Sequence, residues 1–437
     1  MYWGTSTAAP EVIGLASSKE PVASQGSRPE ASAPLSDRYR KVAVGRAFTI
    51  AVTTEGDAFG WGDNSLGALG NGAATGKRGP VEVSLPAGVA ITELTAKWGT
   101  VFALGSDGQV YAWGDNSFGQ LATGTTDAAA TPVPVSMPPG VSITDLDAGY
   151  WHTMALSSEG QVYAWGDNSG GQLGVEMTDE ADGPVSVPVG RGQRVTRISG
   201  GGMHSLALTL SGEVYAWGDN SYGQLGDGTT TARRTPVAVR LPNAVVFVQI
   251  AALANASLAL AADGRVYAWG DNAFGQLGDG TTVPRLIPVQ SLLPSEVEIR
   301  QISGGSVHAL AVDADGGLFT WGHSHSVRRG ASVLGDRSVP VRVLTPARTV
   351  FAQVSAGFAH SAGVSSDGRL LSWGADWAGQ LAGEMLPGRV APAMVKDAVA
   401  KDATVMPLAA RADSAESRAE GSARWVYVGH AAKATAS

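Results

Sequence analysis

The sequence predicts an all-β fold, a seven-bladed β-propeller with about four antiparallel strands per blade, and three observations predict it. Trp61, Trp113, Trp165, Trp217, Trp269, Trp321 and Trp373 stand 52 residues apart, and a Gly follows each one. Pro80, Pro132, Pro184, Pro236, Pro288, Pro340 and Pro392 keep the same step. Within each unit the apolar runs are short, rich in β-branched and aromatic residues, and separated by turn residues. Seven units of one length form a repeat architecture, and roughly 40 to 50 residues holding four strands make one propeller blade.

The elements follow in order along a unit. In the third, "ITDLDAGYWHTMAL" and "QVYAW" read as strands that pair antiparallel across the tight hairpin "SSEG", where Gly accepts a positive φ. The small residues of "AGxxHS" let the innermost strands crowd around an axis. The dodecamer "VYAWGDNSFGQL" at Val110 returns at Val162, Val214 and Val266, with a variable ninth position and one Ser-to-Ala change at the eighth. Its Trp suits burial between blades with one partner for the indole N–H, and its Asp-Asn pair suits hydrogen bonds to its own loop. The dodecamer is therefore structural. "PVPV" and "PVSV", after the marker prolines, read as the outer strand, where Pro costs no ladder bond.

The pattern A-G-x-x-H-S/T-x-A-L, D-G-x-V-Y-A-W-G-D-N-x-x-G-Q-L-G and P-V resembles the repeat of the regulator of chromosome condensation family, a seven-bladed propeller. The match runs from Tyr39 to about Val395. "GDGTTTARRTPVAVRLP" is most similar to the bacterial style of the family. The resemblance implies, by branch, nucleotide exchange on a small GTPase, ultraviolet sensing through clustered tryptophans, or inhibition of β-lactamases by one propeller face. Equal units leave little room for the inserted wedge of the exchange factors. Residues 1–40 balance Lys19, Arg28, Arg38 and Arg40 against Glu11, Glu20, Glu30 and Asp37, unlike the founder's basic tail. "GWRHT", the motif of the light-sensing branch, is absent, and "GYWHT" at Gly149 is its nearest relative.

Composition narrows the function further. A formal net charge of -8 argues against nucleic acid as a partner. The absence of Cys removes disulfides, thiolate metal sites and a Cys nucleophile, and leaves the compartment open. The uncharged stretch from Ala244 to Ala262 has the length of a membrane helix, but its register matches the strands of other repeats, so buried strands are expected. No H-E-x-x-H or G-x-S-x-G occurs. "NGAATGKRG" has Asn71 and Arg78 where a phosphate loop needs Gly and Ser or Thr, and "GDGTT" lacks the spacing of a calcium loop. No catalytic residue, metal or cofactor is expected.

The candidate site is an arc of loop-tip residues. Blade seven closes onto blade one, so Phe358, Arg46, Lys97, Trp98, Tyr150 and Trp151 are expected on one continuous face, and aromatics with Arg make protein-binding hot spots. The other reading of these aromatics is that they cover the channel mouth. A ring of His152, His204, His308 and His360 invites a metal, but Phe48, Thr100 and Ala256 fill the equivalent places, so structural hydrogen bonding is expected. A secondary patch, His323, His325, Arg328 and Arg329, sits in the deviant loop of unit six, which lacks a nearby acid or Cys to complete a metal site.

The expected organisation is a flexible leader at 1–38, the propeller at 39–395 and a low-order tail at 396–437 with a possible docking strand at 424–429. The outer strand at Pro392–Val395 is expected to close the ring by pairing with the blade that begins near Tyr39. A soluble, monomeric, non-enzymatic module that binds a protein partner is the leading function. A small-GTPase regulator, or a carbohydrate or small-ligand binder using the channel, is the alternative.

Overall fold

The computed structural model describes residues 38–177, 180–190, 192–242, 245–323, 336–346, 349–382 and 393–394. Among these residues every regular element is a strand. Unit one supplies β1 (Tyr39–Val44), β2 (Phe48–Thr53), β3 (Ala58–Gly62) and β4 (Lys77–Glu82), hydrogen-bonded antiparallel in that order. Units two to six repeat this four-stranded sheet as β5 to β24, from Ile91 to Leu344. Unit seven adds β25 (Phe351–Ala356), β26 (His360–Ser365) and β27 (Leu370–Gly374). The protein is thus the seven-bladed propeller that the 52-residue step predicts. The uncharged stretch from Ala244 forms two strands, Phe247–Ala252 and Ala256–Ala261, and among the described residues no helix is long and apolar enough to cross a membrane.

The first strands of neighbouring blades lie side by side around a central channel. The second strand of each blade is buried along its whole length, as in Phe48–Thr53 and His152–Ser157. The tryptophans are the wedges between blades. Trp165, Trp217 and Trp269 are wholly buried, and each indole N–H donates at 2.8 Å to a carbonyl of the preceding blade, that of Gln120, Gln172 and Gln224 respectively. Each faces a small partner across its own sheet, Thr153, Ser205 or Ser257, which leaves room for the ring. The hydroxyls of these partners donate to the same three carbonyls, so one acceptor fixes two donors of the next blade. Burying an indole of roughly 200 Å² at ~25 cal/mol per Å² contributes about 5 kcal/mol per joint before entropy.

The Gly after each Trp is required by geometry. Gly62 has φ +108°, and a Cβ there would stand 2.4 Å from the Ala47 carbonyl oxygen. Replacing Gly62 by Ala is expected to cost about 2 kcal/mol in urea unfolding, from the left-handed backbone and the clash together. A cost under about 0.5 kcal/mol would show that the loop gives way freely.

The Asn of the dodecamer shapes its loop as the sequence suggests. Asn220 accepts from the Leu225 amide at 3.0 Å through Oδ1, while Nδ2 donates to the Thr229 and Thr231 carbonyls at 3.0 Å each.

Ring closure differs from the expectation. The backbone at Ala393–Met394, β28, pairs with Val343 and Leu344 of blade six and not with the blade beginning at Tyr39. Blades seven and one are instead joined by side chains together with single backbone hydrogen bonds. Gln353 accepts from the Val42 amide at 2.9 Å and donates to the Val42 carbonyl at 3.1 Å, so its carboxamide mimics a peptide group. Trp61 donates to the Gln380 carbonyl at 2.9 Å, and the Tyr39 amide donates to the Gly368 carbonyl at 2.9 Å. Blade one keeps its own four contiguous strands, and blade six takes β28 as a fifth at its outer edge. The leader, the tail and its candidate docking strand lie outside the described residues.

Candidate functional site

The loop between the first two strands of each blade and the loop after Trp-Gly meet on one face. Asp63, Asp115 and Asp167 donate their amides to the carbonyls of Ala47, Gly99 and Trp151 at 2.9, 3.0 and 2.9 Å. On that face the expected arc assembles. Trp98 lies 4.6 Å from Tyr150 and 5.7 Å from Phe358 between ring centroids, Tyr150 lies 6.2 Å from Trp151, and the Arg46 guanidinium sits 4.8 Å over the Trp98 ring. Five of the six arc residues therefore form one contiguous surface drawn from blades seven, one, two and three.

The sixth, Lys97, turns inward. Its Nζ donates to the Ala252 carbonyl at 3.2 Å, reaching from blade two to blade five, and burial holds its pKa below the ordinary lysine value against the opposing pull of Asp147. The Tyr150 hydroxyl donates to Ser306 Oγ at 2.8 Å from blade three to blade six, and burial pushes the phenol up to about 12. Both bonds cross the axis. Together with Trp98 and Phe358 they plug the channel at this end, leaving a cavity of about 10 Å³. Trp98, Tyr150 and Phe358 thus do cover the mouth, while Trp151 packs on Phe118 at 5.2 Å beside the plug.

Trp98 stores local strain. Its φ is +50°, in a two-residue turn closed by Lys97 pairing with Thr100. A left-handed non-Gly residue costs about 1–2 kcal/mol and persists where its surroundings hold it, here the rings of Tyr150 and Phe358 and the Arg46 guanidinium.

Sequence reasoning missed the outer part of this face. Leu66 and Tyr222 are exposed, and Phe118 and Phe274 are half-buried; all four occupy the variable position of the dodecamer. Trp377, 55% exposed, stands one place earlier in unit seven, where the other described units have Ser or Ala. The signal was the pair of adjacent positions that vary in an otherwise repeated string.

The repeat histidines are interlocks. His152, His204 and His308 place Nε2 at 2.8–3.0 Å from the hydroxyls of Ser205, Ser257 and Ser361, and His360 reaches Thr49 at 3.1 Å, each in the following blade. Ser205, Ser257 and Thr49 give their own proton to a carbonyl, so they accept from Nε2–H. Desolvation lowers the pKa to about 3 for His152 and His308 and about 4 for His204 and His360. Among the described residues no cluster of His, Cys, Asp or Glu could hold a metal.

Of the secondary patch, only His323 is described; His325, Arg328 and Arg329 lie outside the described residues. His323 Nδ1 is 2.8 Å from Asp336 Oδ1, and its ring lies 4.6 Å from Phe274. An acid does approach this loop, which the sequence reading did not anticipate because Asp336 is 13 residues away.

The fold and the loop face together define a propeller scaffold with a stacked aromatic surface over a plugged channel. A family model for the RCC1-like domain matches residues 2–288 and 137–412, and the chain belongs to that family. It is 31% identical over 341 residues to the Ultraviolet-B receptor UVR8 of Arabidopsis thaliana, covering 78% of each chain. It is 29% identical over 340 residues to the E3 ubiquitin-protein ligase HERC2 of Homo sapiens, covering 76% of this chain but only 7% of that protein. Among solved structures, Prp20p of Saccharomyces cerevisiae, described with its binding to Gsp1p and histones, aligns with a TM-score of 0.65 at 27% identity, covering 75% of this chain and 82% of its own. Human WBSCR16 shares the fold with a TM-score of 0.68 at 22% identity, covering 76% and 88% of the two chains.

Proposed function

We propose that the protein is a non-catalytic interaction module that binds a protein partner through the face carrying Arg46, Trp98, Tyr150, Trp151 and Phe358, extended by Phe118, Leu66 and Trp377. The observation that carries this reading is the unbroken run of ring contacts, tilted and edge-to-face, from Phe358 through Trp98 and Tyr150 to Trp151 and Phe118. Large aromatic groups and an Arg, clustered and partly exposed, have the composition of interface hot spots. Lys97 acts beneath this surface as part of the plug. Prp20p, a relative in fold and sequence, binds proteins.

The test is a capture experiment from the native source, run in parallel with the protein as it stands, with Trp98→Ala/Trp151→Ala, and with Leu210→Ser/Val350→Ser on the opposite face. A partner kept by the first and third baits and lost by the second is expected. Retention by the arc variant together with loss by the opposite-face variant would move the site to the other side. The second reading, regulation of a small GTPase, follows from the family resemblance and is separated by a nucleotide-release assay on the captured partner.

A further inference from the structure

The channel end opposite the plug carries one ring position, occupied by Lys41, Glu93, Asp145, Arg197, Gln249, Gln301 and Gln353 at the 52-residue step. Units that share most of the dodecamer differ here in charge. Most of the ring is engaged in joining blades. Lys41 pairs with Glu93. Gln249 exchanges two hydrogen bonds with Ile302 at 3.0 Å each, and Gln353 does the same with Val42. Asp145 accepts from the Leu146 amide at 3.0 Å.

Two members are left over. Gln301 makes no side-chain hydrogen bond among the described residues, although its two equivalents make a pair each. Arg197 hydrogen-bonds only the Thr196 carbonyl, at 2.8 Å, and acts through its charge on Asp145 of the preceding blade, with no carboxylate among the described residues within 4 Å of its guanidinium. Both line one cavity of about 500 Å³, together with Arg300, Val248, Val350 and Phe351. Arg300 has a single carboxylate, Glu298, at a loose 3.9 Å. Asp313 also borders the cavity; its Oδ1 accepts from the Asp315 and Gly317 amides at 3.0 and 2.6 Å, and its Oδ2 lies 3.8 Å from the Arg342 guanidinium. The cavity therefore offers two guanidinium groups and an idle carboxamide on one side and apolar wall on the other.

We propose that this cavity binds a small organic anion, a carboxylate or phosphate monoester carried on a short apolar body. Guanidinium forks match the oxygens of such a head group, the Gln301 amide adds a neutral donor, and the exposed Val248 and Val350 take the body. The volume falls in the range of small-molecule sites, roughly 300–1,000 Å³. The inference stands apart from the protein-binding face, which lies across the ring.

Saturation-transfer NMR on the full chain, with hexanoate, phenyl phosphate and hexylammonium as probes, tests it. Saturable transfer to at least one of the two anions and none to hexylammonium is expected, and the stronger anion identifies the head group. Arg197→Gln/Arg300→Gln should weaken that binding at least tenfold, and Gln301→Leu several-fold, with thermal unfolding of the variants as a control for folding. Failure of both anions to bind, equal binding of hexylammonium, or unchanged binding in the double variant would each overturn the assignment.

Discussion

Acidification from pH 6.5 to 4.5 is expected to destabilise the propeller steeply, by about 4 kcal/mol per pH unit near pH 5. Four buried imidazoles are held neutral in the folded ring, with pKa values of about 3 to 4. Unfolded histidines titrate near 6.5, so in this window the unfolded chain binds about four more protons, each worth ~1.4 kcal/mol per pH unit. The sign is that of depressed pKa values, with stability complete above the unfolded value and lost as pH falls towards the folded one. Asp145 works the other way. Burial and the Asp147 charge push its carboxyl up to about 7, so the folded state holds a proton that the unfolded state has released above about 4. Subtracting that one proton leaves about three, which gives the figure above. The measurement is the urea midpoint at pH 7, 6 and 5. His152→Gln and His204→Gln should each flatten the dependence by about one proton while keeping a donor for Ser205 or Ser257. An unchanged slope in the double variant would show that the imidazoles are not the groups that titrate.

Removing one wedge is the second large effect. Trp217→Ala should cost about 3–5 kcal/mol, because the side chain is wholly buried between two blades and neither sheet can close the gap without breaking its pairing. Trp217→Phe should cost far less, about 1–2 kcal/mol, since the Gln172 carbonyl keeps the Ser205 hydroxyl as donor when the indole N–H is gone. Equal losses for the two variants in denaturant unfolding would place the stabilisation in the hydrogen bond and not in packing.

The fold was legible because every blade solves the same packing problem with the same letters. Trp for the joint, Gly for the close approach and Asn for the loop recur at fixed offsets, so periodicity carried the architecture directly. The arc was legible from loop position, since residues two places before the repeat His must emerge at a strand end. What lay beyond sequence was direction. Lys97 and Trp98 are neighbours, yet one turns into the channel and the other onto the face, which the left-handed turn at Trp98 decides. Closure was misjudged for a related reason, because the bonds joining blade seven to blade one come from Gln353 and Gln380, and Gln stands at the same repeat positions in other units, as Gln249 and Gln301 or Gln120, Gln172, Gln224 and Gln276, so it gave no special signal.

The most direct measurement is the affinity of the captured partner for a set of purified variants, by calorimetry at one salt concentration. Trp98→Ala/Trp151→Ala should weaken binding by at least about 100-fold, Phe118→Ala by about tenfold, and Leu210→Ser/Val350→Ser by less than twofold. Full affinity in the double tryptophan variant, with loss on the opposite face, would contradict the assignment of the aromatic face as the binding surface.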